Sequence, residues 1–231
     1  MGPAGAAGDP PGGGVIEAIL PAVAAVAEAR EDSGAADLFA AERALIGRAV
    51  EKRRREFATG RACAHRALAQ LGLEPVAIGA GERGEPLWPD GVVGSITHCR
   101  GYRGCAVARA ADLASLGIDA EPHEPLPAGL IGDLAGAPER AMLEELGGAE
   151  AAVHWDRLLF SAKESAYKAW FPLTGRWLGF EDAVLSIDPA GGFRVRLLVP
   201  GPSVDGTRLD GFDGRWTLAG GLLLTAVAVS R

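Results

Sequence analysis

Trp155-Asp156-Arg157-Leu158-Leu159-Phe160-Ser161-Ala162-Lys163-Glu164-Ser165-Ala166-Tyr167-Lys168-Ala169-Trp170 is the stretch from which the fold can be read. Trp155, Leu159, Ala162, Ala166, Ala169 and Trp170 recur at helical spacing, which predicts an amphipathic helix buried along that stripe. Helical patterning reaches back to residue 130, with an interruption expected near 147–148. Beyond the helix, residues 184–187, 193–198 and 216–229 read as three strands separated by Pro/Gly turns. The same order occurs upstream. Residues 38–71 carry Leu38, Leu45, Ile46, Val50, Phe57, Ala64 and Leu68 on one helical stripe, with a break expected at Gly60. Residues 104–110 and 115–120 then read as strands about a turn at 111–112. Helices followed by strands in both parts predict an α+β fold of two units, divided here into residues 15–116 and 117–231. Residues 15–30 are compatible with a strand followed by a helix. Residues 1–14, dominated by Gly and Pro, are expected to be a flexible tail.

Composition narrows the function. The 231 residues are 48% hydrophobic and carry a formal net charge of −7, which argues against a general nucleic-acid binder. Cys63, Cys99 and Cys105 form no CxxC pair, a pattern of a reducing compartment, so a cytoplasmic protein is expected. The longest apolar stretches, at 15–27 and 218–229, are too short to span a bilayer, and no membrane association is expected.

Gly79-Ala80-Gly81-Glu82-Arg83-Gly84 matches GxGxxG, but Pro86 and Pro89 forbid the helix that a dinucleotide fingerprint requires, so the segment reads as a turn. His98, Cys99 and Cys105 have no zinc-site spacing. Residues 48–61 are rich in arginine. They read either as a solvated helix face or as an anion pocket, in which Arg53 and Arg61 would share a similar azimuth. In Gly117-Ile118-Asp119-Ala120-Glu121-Pro122, strand alternation puts Asp119 and Glu121 on one face, about 6–7 Å apart along the strand. That pair is either a solvated strand end or two oxygen ligands for a hard cation such as Mg²⁺. Glu164 and Lys168 lie one helical turn apart with Lys163 adjacent. They are either a surface ion pair or a third carboxylate flanked by two phosphate-holding ammonium groups.

Taken in order, these segments resemble the 4′-phosphopantetheinyl transferases of the larger, surfactin- and enterobactin-type class. The resemblance rests on Arg53-Arg54-Arg55-Glu56-Phe57 leading to Gly60-Arg61, on Gly84-Glu85-Pro86-Leu87-Trp88-Pro89 running into Gly94-Ser95-Ile96-Thr97-His98-Cys99, on Gly117 to Glu121, and on Phe160 to Lys168. It implies a pseudo-twofold pair of α+β halves in one monomer, with coenzyme A as co-substrate in the cleft between them. The implied reaction moves the phosphopantetheine arm of coenzyme A onto a serine of an apo acyl or peptidyl carrier protein. Carried over residue by residue, Asp119, Glu121 and Glu164 would bind Mg²⁺, with Mn²⁺ as the alternative metal. Glu164 would also be the general base, Lys168 would neutralise or protonate the leaving phosphate, and Lys163 would grip the pyrophosphate. Arg53, Arg61, Arg83, Thr97 and His98 match coenzyme-binding positions. Phe160 and Arg83 depart from the family's more usual Trp and Lys.

The residue that positions the acceptor serine is open among Glu139, Glu144 and Glu145. Carrier docking is expected near residues 100–103 or 170–177. Two other functions use the same residues: a Mg²⁺-dependent hydrolase acting on the coenzyme A pyrophosphate, and a non-catalytic carrier- or coenzyme-binding module.

Overall fold

The computed structural model describes residues 14–32 and 38–231; the tail expected over residues 1–14 lies, but for Gly14, outside them. In chain order the elements are β1 (Ala25–Ala29), α1 (Ala40–Leu45), α2 (Glu51–Gln70), β2 (Gly79–Ala80), β3 (Pro86–Leu87), β4 (Val92–Cys99), β5 (Tyr102–Arg109), β6 (Leu113–Pro122), α3 (Leu130–Leu134), α4 (Ala137–Ala149), α5 (Trp155–Thr174), β7 (Ala183–Asp188), β8 (Gly192–Leu197), β9 (Ser203–Val204), β10 (Thr207–Arg208), β11 (Gly211–Ala219) and β12 (Leu222–Ser230). Helices and antiparallel sheets make this an α+β fold. Among the described residues no helix is long and apolar enough to cross a membrane.

Two helix-on-sheet units share the main architecture. Strands β1, β5 and β4 form an antiparallel sheet in that order. The 20-residue α2 covers it, burying Cys63, Ala64, Ala67 and Leu68 against Ala27, Cys105 and Val107. A five-stranded antiparallel sheet, β6-β12-β11-β8-β7, carries the 20-residue α5. Its stripe of Trp155, Leu158, Leu159, Ala162, Ala166 and Ala169 packs with Phe193, Val195, Leu223 and Val227. A further cluster joins the units, where Tyr102, Ala106 and Ala108 of β5 meet Leu116, Ile118 and Ala120 of β6 and Leu224 and Ala226 of β12.

Strands β4 and β6 are the edge strands that meet. No backbone ladder joins them. Instead the hydroxyls of Ser95 and Thr97 on β4 accept the backbone N–H groups of Ile118 and Ala120, each at 3.1 Å. Alternation puts Ser95 and Thr97 on one face of β4, so two side chains do at the seam what a ladder does within a sheet.

Several boundaries differ from the sequence expectation. The division between residues 116 and 117 falls inside β6, so the chain crosses between units along a strand. Gly60 lies within α2, where the helix passes close to β4: a Cβ there would stand 3.4 Å from Ile96 Cγ2. The interruption is instead at 46–50. Gly147 and Gly148 belong to α4, and the break follows at 150–154. The expected strand at 216–229 is two strands, divided by Gly220 and Gly221 with φ of 54° and 73°. In the N-terminal segment a short 3₁₀ turn precedes strand β1 rather than following it. The 79–84 segment supplies strand β2 and most of the turn of the β2–β3 hairpin, with no helix following it, as Pro86 and Pro89 require.

The closest approach of α5 to β6 is at Gly117, where a Cβ would lie 2.0 Å from Ser165 O and 2.6 Å from Ala169 N. Both are backbone atoms of the helix and cannot swing aside. Gly117→Ala is therefore expected to destabilise the protein by about 3 kcal/mol through overpacking, measured by urea unfolding. Gly60→Ala, which meets only a side-chain methyl, should cost far less.

Candidate active site

The closely packed pair β6 and α5 sets the site. Arg157, Ser161, Glu164 and Lys168 are spaced four, three and four residues apart and so lie on one stripe of α5. That stripe meets Asp119, which is only 5% exposed. The Lys168 ammonium donates to Asp119 Oδ1 at 2.7 Å and to the Ile118 carbonyl at 3.1 Å. Ser161 Oγ donates to Asp119 Oδ2 at 2.9 Å. Across the seam, Thr97 donates to Oδ1 at 3.2 Å. A buried carboxylate is tolerated only when so paired.

Glu121 lies two residues along β6 and is held by Arg157, whose Nη1 stands 2.8 Å from Oε2. The same guanidinium donates to the carbonyls of Glu124 and Pro125, fixing the loop after β6. Glu164 is half-buried and makes no hydrogen bond or ion pair among the described residues. Burial raises its proton affinity, Lys168 opposes the rise, and the charge of Asp119 adds to it. Burial and Asp119 likewise raise the pKa of Glu121, against Arg157.

On the opposite side of the seam, Arg53 Nη1 lies 3.0 Å from His98 Nε2. A guanidinium has no lone pair to offer, so Nε2 accepts and the ring is free to donate from Nδ1. Burial and then the Arg53 charge hold the His98 pKa below its ordinary value, and Lys168 acts in the same direction. Arg53, His98, Lys168, Asp119 and Glu164 thus form one continuous electrostatic neighbourhood.

Other expected site residues stand elsewhere. Lys163, expected to grip the pyrophosphate, is paired within the chain on another side of α5 from Lys168. Its ammonium is buried with Glu139 at 3.0 Å and donates to the Phe180 carbonyl at 2.8 Å. The reason is angular, since a helix turns about 100° per residue and Lys163 is carried off the Glu164–Lys168 stripe. Glu139 is equally committed, also accepting from the backbone N–H of Gly136 and Leu185, and is not a candidate to position the serine. Glu144 and Glu145 are exposed on α4.

Arg61 is 5% exposed, donates to Gly79 O at 3.0 Å, lies 3.9 Å from Glu42 and stacks over Phe57. It is packed inside the N-terminal unit instead of opening onto an anion pocket with Arg53. Thr97 is buried, and its hydroxyl donates to Asp119 while accepting from the Ala120 N–H. Arg83 is exposed and reaches over the Trp177 ring, 5.6 Å from its centroid. Of the expected docking segments, Arg103 and Trp170 are buried, while Arg100 is paired with Glu124 and Trp177 is 61% exposed.

Beside Glu164 opens a cleft of about 230 Å³, walled by Tyr167, Trp177, Leu178, Phe180 and Leu185, mostly apolar. The sequence reading missed it because its walls come from α5, the 177–182 segment and β7. It also missed Arg157, Ser161 and Thr225, although the α5 spacing and a lone Thr within Leu222-Leu223-Leu224-Thr225-Ala226-Val227 were legible signals.

The three expected metal ligands do not form a ready cage: among the described residues no three His, Cys, Asp or Glu side chains are gathered for a metal. Asp119 and Glu121 are each neutralised by a cation of α5. The donor chemistry nevertheless fits a hard divalent cation. The three groups are carboxylates, Asp119 influences both others, and Glu164 has no cation within bonding distance.

Comparison with known proteins identifies the family. Residues 41–108 match the model of the 4′-phosphopantetheinyl transferase N-terminal domain and residues 115–219 that of the 4′-phosphopantetheinyl transferase superfamily. The chain is 56% identical over 220 residues to 4′-phosphopantetheinyl transferase Svp of Streptomyces mobaraensis, covering 94% of this chain and 89% of that protein. It is 52% identical over 223 residues to Npt of Nocardia iowensis, covering 93% and 99%. It is 46% identical over 226 residues to PptT of Mycobacterium tuberculosis, covering 94% and 99%. The chain belongs to the 4′-phosphopantetheinyl transferase superfamily.

Proposed function

We propose that the Asp119–Lys168 centre is where this enzyme works: it transfers the 4′-phosphopantetheine arm of coenzyme A to a serine of an apo acyl or peptidyl carrier protein and releases adenosine 3′,5′-bisphosphate. The observation that carries the assignment is the Lys168 ammonium set on buried Asp119 at 2.7 Å, with Glu164 unpaired one turn away and the Arg53–His98 pair across the seam.

In the reaction the serine oxygen forms a bond to the phosphorus bearing the pantetheine arm. The bond from that phosphorus to the bridging oxygen breaks, and the electron pair leaves with adenosine 3′,5′-bisphosphate. Glu164 takes the serine proton. Lys168 faces the negative charge that develops on the leaving phosphate, and His98 and Arg53 supply further donors to phosphate oxygens. Asp119, Glu121 and Glu164 would hold a divalent cation, proposed to be Mg²⁺. When bound, that ion supplies charge stabilisation at the pyrophosphate. The apolar cleft beside Glu164 suits the pantetheine arm, which then reaches the centre from one side while the carrier serine enters from the other. Positioning of the two reactants contributes the remainder. The seam is built by a single chain, so we place the active species as a monomer. The three free cysteines suit a reducing, cytoplasmic setting.

Incubation with coenzyme A, Mg²⁺ and an apo carrier, followed by intact-mass analysis, should show the carrier gaining the phosphopantetheine arm. Free phosphopantetheine with an unmodified carrier would identify a hydrolase instead. In the same assay Asp119→Ala should lose about 10²–10³-fold in turnover, as expected for removing a charge-stabilising group, with the fold retained by circular dichroism. Trp177→Ala, which opens the cleft without touching the acids, should raise KM for coenzyme A by about tenfold while changing kcat little, which steady-state kinetics would measure.

A further inference from the structure

Ser161 and Thr225 are both completely buried, on α5 and β12. The core around them is largely apolar: Leu158 and Ala162 lie beside Ser161 on α5, and Leu223 and Val227 share the β12 face of Thr225. A hydroxyl in such a core costs free energy unless it is hydrogen-bonded, and Ala and Val would fill these places without that requirement. Strand register explains why they meet. Thr225 is the cross-strand partner of Asp119, so both face α5, and Ser161 is the α5 residue that sits against them.

The protons can be counted. Asp119 as a carboxylate only accepts, so the single Ser161 proton is directed to Oδ2 at 2.9 Å. Thr225 Oγ1 lies 2.9 Å from both Ser161 Oγ and the Ser161 carbonyl, and its one proton goes to either. When Thr225 donates to Ser161 Oγ, nothing competes with Asp119 for the Ser161 proton. When it donates to the Ser161 carbonyl, its own oxygen is a neutral acceptor at 2.9 Å, and the charged Asp119 carboxylate at 2.9 Å is the stronger partner. Thr97 directs its own proton to Oδ1 while accepting from Ala120.

We infer that Ser161, backed by Thr225, is a positioning residue that fixes the Asp119 carboxylate in the orientation from which it binds the catalytic cation. The inference rests on the reading of Asp119 as a ligand. Ser161 touches neither coenzyme nor cation; it acts by holding one carboxylate oxygen so that the lone pairs left by Lys168 and Thr97 face the site. Groups bonded to ligands in this way are a recurrent requirement of metal centres.

The test titrates Mn²⁺ into the protein with saturating coenzyme A, following the free-Mn²⁺ paramagnetic resonance signal, and is paired with steady-state kinetics. Ser161→Ala should weaken Mn²⁺ binding by about tenfold and lower kcat similarly, leaving KM for the carrier unchanged. Thr225→Val should shift both in the same direction, and Thr225→Ser should restore them. Ser165→Ala removes an equally buried hydroxyl that bonds only the Ala162 carbonyl of its own helix, and should leave both at parental values. Parental Mn²⁺ affinity in folded Ser161→Ala, alongside lost affinity in Asp119→Asn, would overturn the positioning role alone. Parental affinity in Asp119→Asn would overturn the ligand reading and this inference with it.

Discussion

A carboxylate buried where two sheets meet must be satisfied on both oxygens, and in this protein that requirement falls on Asp119. Three elements answer it: β4 through Thr97, α5 through Ser161 and Lys168, and β12 through Thr225 behind Ser161. The demand fixes the rotation of α5 about its axis, since only the stripe bearing residues 157, 161, 164 and 168 can turn toward β6. It also fixes β4 beside β6, because Thr97 bonds Asp119 and Ala120 together. Gly117 permits the approach: with no Cβ, it lets the helix backbone come close enough for short side chains such as Ser161 to reach the strand.

The same helix makes three ion pairs with three different outcomes. Arg157 holds Glu121 and the loop after β6, Lys168 holds Asp119, and Lys163 is drawn to Glu139 on the other side. The first two face the seam, where partly exposed ends can exchange partners with a charged ligand. The Lys163–Glu139 pair is enclosed on all sides and ties α4, α5 and the 180–183 segment together, which sets one wall of the apolar cleft. Breaking such a buried pair on one side leaves an uncompensated charge, so its contribution is architectural.

Much of this was legible in the sequence, and the failures have physical causes. The α5 stripe and the alternation around Asp119 and Glu121 are local periodicities, and local periodicity survives folding. Gly60 misled because helix propensity disfavours glycine, whereas the tertiary structure uses it for close packing against Ile96. The Lys163–Glu139 pair was not legible, because Lys163 is adjacent to Glu164 in sequence but about 100° away on the helix, and its partner comes from another helix. Arg61 and Thr97 are expected at the coenzyme, and their contacts within the chain, to Glu42, Phe57 and Gly79 in one case and to Asp119 and Ala120 in the other, come from distant segments that no local pattern shows. The seam and the cleft are assembled from segments far apart in the chain, and no window of sequence contains them.

The central claim is that Asp119 trades its ammonium partner for a cation beside the pyrophosphate of coenzyme A. Anomalous diffraction from crystals grown with coenzyme A and Mn²⁺ tests it directly. The account predicts a single strong peak bonded to an Asp119 oxygen, with the Lys168 ammonium moved toward phosphate. A peak held without Asp119, or coenzyme bound with the Asp119–Lys168 contact intact and no metal at the seam, would contradict it.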